Sequence, residues 1–171
     1  NLDGVDLSNK DLTGATLTGV DLSNKDLSGT ILTNTNLAGA NLDGVDLSNK
    51  DLTGATLTGV DLSNADLSGT ILTGSNLSGA NLDGVDLSNK DLTGATLTGV
   101  DLSSTNLSKA NLSEANLNGV DLSNKDLTGV NLRGVDLSNT DLSGTILTNT
   151  NLAGANLDGV ELINKDLTGA N

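Results

Sequence analysis

The sequence contains no Phe, Tyr, Trp, Met, Cys, His or Pro among its 171 residues. An ordinary globular core fills irregular space with large side chains of different shapes. This chain offers only Leu, Val, Ala and a few Ile for that purpose. Its core must therefore be regular, with one shape of hole filled repeatedly by one kind of side chain.

The missing residue types also exclude most catalytic chemistry. Without Cys or His there is no disulfide framework and no thiol or imidazole to act as a nucleophile or base. Ser and Thr are plentiful, but no base is placed to activate a hydroxyl, and the glycines recur too regularly to form a phosphate-binding loop. We expect no enzymatic activity, no catalytic residue, no cofactor-binding residue and no cofactor.

Positive charge is scarce. Eight Lys and Arg residues face 22 Asp and Glu residues, which gives a formal net charge of −14. Binding to a nucleic-acid backbone or an anionic membrane needs a basic surface, so neither is expected. No apolar run is long enough for membrane insertion. The charge instead favours solubility and a protein partner with a basic surface. We expect a soluble bacterial protein, and the sequence does not indicate its compartment.

Leu recurs at every fifth position from Leu2 to Leu167 without exception, in 34 consecutive repeats. This period fits neither an α-helix nor a simple strand. With Leu as position i, all 21 glycines lie at i+2, and most other i+2 residues are Asn. Gly and Asn tolerate positive φ, so the pattern predicts a left-handed turn residue every five residues.

The pattern Ala40-Asn41-Leu42-Asp43-Gly44 resembles the pentapeptide-repeat family, and the resemblance covers the whole chain. The family implies an all-β fold, a right-handed quadrilateral parallel β-helix. Each pentapeptide forms one side of a square, the i and i−2 side chains point inward, and the other side chains face out. Thirty-four repeats give a single rod-shaped domain, residues 1–171, of about 8.5 coils spaced roughly 4.8 Å apart. Because the chain starts with Asn1 and has no Met, we expect a processed product or a fragment of a longer array.

The sequence also has a longer repeat, which is made of several pentapeptides. Residues 1–40 and 41–80 differ at only four positions, and the copy decays after residue 103. The three i+2 positions that hold neither Gly nor Asn follow there in a row: Ser104, Lys109 and Glu114. We predict altered corner geometry at all three.

Reading residues 20 apart gives an outward column of acids that ascends the rod: Asp6, Asp26, Asp46, Asp66 and Asp86. Stacked like charges should disfavour their own ionisation. One interpretation is a solvated face whose side chains bond to nearby turn amides. The other is a negative ladder that recruits cations or a basic protein surface. A flat ladder lacks the converging oxygens of a Ca²⁺ site, so we predict no specific metal site.

Six lysines occupy inward i−2 positions, each after an Asn corner: Lys10, Lys25, Lys50, Lys90, Lys125 and Lys165. Burying unpaired ammonium groups is very unfavourable. We therefore predict that the Asn corner differs from the Gly corner, so that these ammonium groups reach solvent. A following acid such as Asp11 could then pair weakly with the lysine.

Two functions fit these features. The first is a structural or interaction scaffold, with self-association end to end through uncapped coils. The second is the role implied by the family resemblance, in which an acidic rod mimics duplex DNA and binds a type II topoisomerase (gyrase). We favour the scaffold, because this chain lacks the aromatic core residues and projecting loops of the DNA-mimicking subgroup.

Overall fold

The computed structural model describes residue 2 and residues 5–171. In this part of the chain there is no helix and no strand longer than a single bridge residue. The regular elements are two-residue turns that recur every five residues, from 8–9 to 168–169. A hydrogen bond from the N–H at i+3 to the Leu carbonyl closes each turn, as from Ala15 N to Leu12 O at 2.8 Å.

In the part of the chain that the structure describes, fifteen isolated parallel β-bridges join residues that are 20 apart, from Asp11↔Ile31 to Asp136↔Asn156. One coil therefore takes 20 residues and four turns, and successive coils lie in parallel register. Main-chain hydrogen bonds tie the coils together, as from Leu17 N to Asn36 O at 2.7 Å. The result is a four-sided solenoid, which agrees with the five-residue period of the sequence.

The leucine columns form the core. Leu52, Leu72 and Leu92 have no exposed surface, and small i−2 residues such as Ala55 and Val130 fill the space between the leucines. The inward placement of positions i and i−2 is therefore confirmed. Burial weakens in the last coil, where Leu167 is 40% exposed.

The corners share one backbone conformation. The Asn corners have φ between 54° and 59°, and the described Gly corners between 61° and 76°. The prediction that Asn corners form a distinct class is therefore wrong in terms of φ. Asn tolerates the left-handed region well enough to replace Gly there.

Of the three corners singled out in the sequence, only Ser104 lacks a positive φ. The prediction is wrong for Lys109 and Glu114, whose φ values are 60° and 59°. Their turn and inter-coil bonds impose the left-handed conformation, for example from Lys109 N to Thr128 O at 3.1 Å. The local cost is about 1–2 kcal/mol. At Ser104 the contact differs, because the N–H of Gly84 donates to the Ser104 hydroxyl at 3.2 Å.

Candidate functional site

Acidic residues are distributed unequally over the four sides of the rod. We number the sides by their leucines, from Leu22 on the first side to Leu27, Leu32 and Leu37 on the second, third and fourth. The first side carries Asp21, Asp43, Asp61, Asp83, Asp101, Asp121, Asp141 and Glu161, and the second carries Asp6, Asp26, Asp46, Asp66, Asp86, Asp126 and Asp166. These two neighbouring sides together are called the acidic side below.

The fourth side is neutral over most of its length. Its outward residues between Thr16 and Gly119 are Thr, Asn, Ser, Ala and Gly only. It also carries an unbroken column of bridges from Thr16 to Asn116. The rod therefore has one paired, uncharged side, which lies opposite the second side and adjoins the first. The third side carries fewer acids than the first two: Asp11, Asp51, Asp91 and Glu114.

The predicted ladder of Asp6, Asp26, Asp46, Asp66 and Asp86 lies on the second side, and all five residues are exposed. Each carboxylate accepts a bond from the N–H two residues later, for example from Ser28 N to Asp26 Oδ1 at 2.8 Å. The same arrangement recurs at Ser68 and Asp66. These are the side-chain-to-turn bonds of the solvated-face interpretation, which is confirmed at this level.

Those bonds decide the protonation of the ladder. Donation by the backbone N–H and hydroxyl of Ser28 lowers the pKa of Asp26 below its ordinary value, although the neighbouring Asp6 opposes the shift. The Ser68 N–H and hydroxyl likewise lower the pKa of Asp66. The expectation that stacked acids would suppress their own ionisation is therefore wrong. Hydrogen bonds to the charged form outweigh repulsion between carboxylates that water screens.

The lysines do not all extend into solvent. Lys10 is exposed, but the ammonium of Lys50 donates to the carbonyl of Leu27 in the preceding coil. Lys165 makes the equivalent bond to Leu142. The prediction of solvent-directed ammonium groups is wrong for these residues, because the leucine carbonyls at the corners supply acceptors inside the rod.

Lys125 is the most enclosed lysine and is 8% exposed. Its Nζ donates to three backbone carbonyls: Leu102, Ser103 at 3.0 Å and Thr105 at 2.8 Å. Burial lowers the pKa of Lys125, and the nearby Asp101 carboxylate opposes that shift. The altered Ser104 corner lies between two of these carbonyls. The rod thus contains a cage of backbone oxygens that holds an ammonium group.

The residue at i−1 determines whether two coils pair. Among the described residues, no bridge has Asp or Glu as its C-terminal partner, whereas Asn, Ile and Thr all occur there. Asn41 pairs with Asp21 below it, for example, and donates its side-chain amide to that carboxylate at 3.1 Å. Asp61 in the next coil does not pair with Asn41. We attribute the difference to hydration, because closing the coils would strip water from the upper carboxylate.

Unpaired positions leave grooves between coils, which we call seams. One seam is lined by Ser103, Asn106, Asp121 and Lys125, and another by Leu42, Val45, Asp61 and Ala65 among others. Both lie on the acidic side. The choice between Asp and Asn at i−1 is visible in the sequence, but none of the sequence-based predictions states that it decides which coils form bridges.

A second missed feature concerns stacking at the corners. A Cβ built on Gly69 would lie 2.2 Å from Oδ1 of Asn49, 20 residues earlier, whereas one on Gly59 would meet nothing within 4 Å. The same close approach occurs above other Asn corners: Asn9, Asn24, Asn34, Asn64, Asn124, Asn139 and Asn149. A Gly above each of these Asn residues avoids the clash, which agrees with the two-coil repeat, although Lys109 rather than Gly lies above Asn89.

Two further properties of the described residues bear on other functions. The described residues form no helix that is long and apolar enough to cross a membrane. Within the same residues, no group of three or more His, Cys, Asp or Glu is placed to hold a metal ion.

Comparison with known proteins gives a consistent result. A family model described as pentapeptide repeats matches in overlapping copies from residues 1–34 to residues 136–171. No curated protein sequence matches this chain significantly.

Two solved structures are similar over nearly the whole chain. HetL, a pentapeptide repeat protein involved in heterocyst differentiation regulation in the cyanobacterium Nostoc sp. strain PCC 7120, is 32% identical, with a TM-score of 0.53 and coverage of 98% of this chain and 92% of HetL. A trypsin-treated form of QnrB1, a plasmid-mediated fluoroquinolone resistance protein, is 22% identical, with a TM-score of 0.71 and coverage of 96% and 83%. The second likeness concerns the fold alone.

Proposed function

The chain belongs to the pentapeptide-repeat family, and from that premise we propose that it is a non-enzymatic interaction scaffold whose acidic side binds a basic protein surface. Its fold is the right-handed β-helix solenoid of that family, and no enzymatic family is indicated. We propose one rod, residues 1–171, of about 8.5 coils at a spacing of roughly 4.8 Å.

The observation that carries this proposal is the segregation of charge. The acidic side bears carboxylates on every coil, while the fourth side is uncharged from Thr16 to Gly119. These carboxylates are ionised at neutral pH, and the lowered pKa values of Asp26 and Asp66 keep them ionised in more acidic solution as well. A one-sided negative field steers a basic partner toward that side and fixes its orientation.

The test uses lysozyme, a small basic protein, as a probe at low ionic strength. One triple variant replaces Asp26, Asp46 and Asp66 by Asn on the second side. The matched control replaces Asp11, Asp51 and Asp91 by Asn on the third side, so both variants have the same net charge. We expect the second-side variant to bind about fivefold to tenfold more weakly than the control. Equal losses in both variants would show that net charge alone attracts the probe, and would reject a defined acidic side.

Self-association is a further part of the proposal. In the last described coil the inward-facing Leu167 is 40% exposed, which favours stacking of a second copy there. Sedimentation velocity across a wide concentration range should show growth of the particle. A strict monomer at the highest concentration would reject the stacking.

The second candidate is a DNA mimic that binds a type II topoisomerase (gyrase). Two observations favour it: the acidic side extends along a rod, and the fold is shared with the fluoroquinolone resistance protein QnrB1. A gyrase supercoiling assay separates the two candidates. Inhibition at micromolar concentrations of the chain would support mimicry, and the absence of any effect would eliminate it.

A further inference from the structure

A groove opens on the acidic side between the coils that contain Leu42 and Leu62. Its lining includes Leu42, Val45 and Asp46 below and Ala65 and Asp66 above, and its volume is about 660 Å³. We call it the Ala65 groove. It exists because Asp61 and Asp66 are acids at i−1 of the upper coil and form no bridge to the coil below.

The chain itself shows what such a groove can hold. Sixty residues later along the same column, Lys125 occupies the position equivalent to Ala65. There its ammonium group lies against the carbonyls of Leu102 and Thr105, which correspond to those of Leu42 and Val45. The seam around Lys125 is therefore filled by the chain's own cation.

The sequence shows that the Ala65 groove has lost such a lysine relative to its repeat. Residues 1–40 and 41–80 differ at four positions, and one of them places Ala65 where the first block has Lys25. The side chain of Ala65 ends at Cβ and donates no hydrogen bond. The corner in the coil below is Gly44, which has a positive φ, unlike Ser104 in the coil below Lys125. A Gly corner still permits the contact, since Lys50 donates to the Leu27 carbonyl beside Gly29.

The acceptors at the groove are free for a ligand. Asp66 N makes no bond to Val45 O, and within the described residues no other N–H or O–H donates to that oxygen. The Leu42 carbonyl accepts only the turn bond from Val45 N, at 3.0 Å. The Asp43 carbonyl already accepts a bond from Asn24 N at 2.7 Å. Two carbonyls at this groove can therefore accept a bond from a ligand, whereas three carbonyls accept bonds from Lys125. The carboxylates of Asp46 and Asp66 add negative charge beside them.

We propose that the Ala65 groove is a binding site for a primary ammonium group, and that its occupant is a lysine side chain of a protein partner. The three N–H donors of an ammonium group match two backbone carbonyls and an adjacent carboxylate, whereas those of Lys125 match three backbone carbonyls. This inference deepens the proposed function, since it names the group that a basic partner inserts into the acidic side.

The test titrates n-butylammonium, which has the length and charge of a lysine side chain, into the isotope-labelled chain and follows the chemical shifts by NMR. We expect saturable shifts of the Ala65 methyl and of the Val45 and Asp66 amides in the millimolar range. Tetramethylammonium carries the same charge without N–H donors, and it should shift these signals much less.

Two variants of equal net charge locate the site. Ala65→Lys supplies an ammonium group within the chain and should abolish the saturable response at Val45. Thr58→Lys places the charge on the neutral side, and should keep the dissociation constant within about twofold of the original. Lys25 shows that a lysine is accommodated at the equivalent position in the repeat.

The inference is overturned if tetramethylammonium and n-butylammonium give equal shifts, or if Ala65→Lys leaves the response intact. Either result can occur while lysozyme still distinguishes the two triple Asn variants. The ammonium site would then be rejected and the acidic-side scaffold retained. If instead lysozyme bound the two triple Asn variants equally while the ammonium responses were as expected, the acidic-side scaffold would be rejected and the ammonium site retained.

Discussion

Replacing Gly69 by Ala tests why Asn and Gly alternate along a corner column. Gly69 has φ +66°, and an added Cβ would lie 2.2 Å from Oδ1 of Asn49. Gly59 has the same φ of +66° but open space around the added Cβ. The two substitutions therefore share the backbone cost and differ in the steric one.

The backbone cost of a non-glycine residue in the left-handed region is about 1–2 kcal/mol. Reduced freedom of the unfolded chain offsets about 0.4–1 kcal/mol of it. Gly59→Ala should therefore cost about 1 kcal/mol of the free energy of unfolding. At Gly69 the side chain of Asn49 must also leave its rotamer, which adds about 0.5–1.5 kcal/mol. We expect Gly69→Ala to be the more damaging by about 1 kcal/mol.

Denaturant unfolding followed by far-ultraviolet circular dichroism measures both variants, since the chain has no aromatic residue to report by fluorescence. The double variant Asn49→Gly with Gly69→Ala completes a double-mutant cycle. Removal of the Asn side chain should bring the cost of Gly69→Ala down to that of Gly59→Ala. Equal costs at Gly59 and Gly69 in the original background would refute the stacking explanation.

Three further predictions follow from the seams, the carboxylates and the lysine cage. Asp66→Asn should close a seam by adding two bonds, from the N–H of residue 66 to Val45 O and from Leu47 N to the carbonyl of residue 66. Amide exchange at Leu47 should then slow about tenfold. The control Asp43→Asn should leave that exchange unchanged, and an unchanged rate in Asp66→Asn as well would contradict the pairing rule. The pKa values of Asp6, Asp26 and Asp46 lie below the ordinary 3.8. Their contribution to the free energy of unfolding is therefore present above pH 3.8 and is lost as the pH falls through the lowered values. A chain whose free energy of unfolding increases on acidification to about pH 3 would indicate that repulsion between the carboxylates dominates instead. Lys125→Met should destabilise the fold by about 1–3 kcal/mol, because the carbonyls of Ser103 and Thr105 lose the donor that the structure gives them. The exposed Lys10→Met should change stability by less than about 0.5 kcal/mol, and equal small effects of the two substitutions would show that the cage contributes nothing.

The fold could be predicted almost entirely from the sequence, because one period carries all the information. The leucines every five residues and the Gly or Asn at i+2 determine both the core and the turns. The inward lysines could not be placed, since nothing in the sequence shows that leucine carbonyls face the interior beside Lys50 and Lys125. Acceptors supplied by the backbone leave no trace in side-chain patterns.

The candidate site was predicted in part. The acidic column at Asp6 to Asp86 was visible as a charge pattern, but its protonation was misjudged because repulsion between the acids was considered without the hydrogen bonds from residues such as Ser28. Lys109 and Glu114 were misjudged for a related reason. Local preference at a corner is overridden when neighbouring coils fix the turn, as the bond from Glu114 N to Arg133 O shows.

The central claim is that the acidic side, rather than the whole rod, is the interaction surface. The most direct measurement maps amide shifts of the isotope-labelled chain as lysozyme is added. The account predicts shifts and line broadening concentrated at the first and second sides, around Asp26, Asp46 and Asp61, and little change from Thr16 to Thr98 along the neutral fourth side. Shifts of equal size on the fourth side would contradict it.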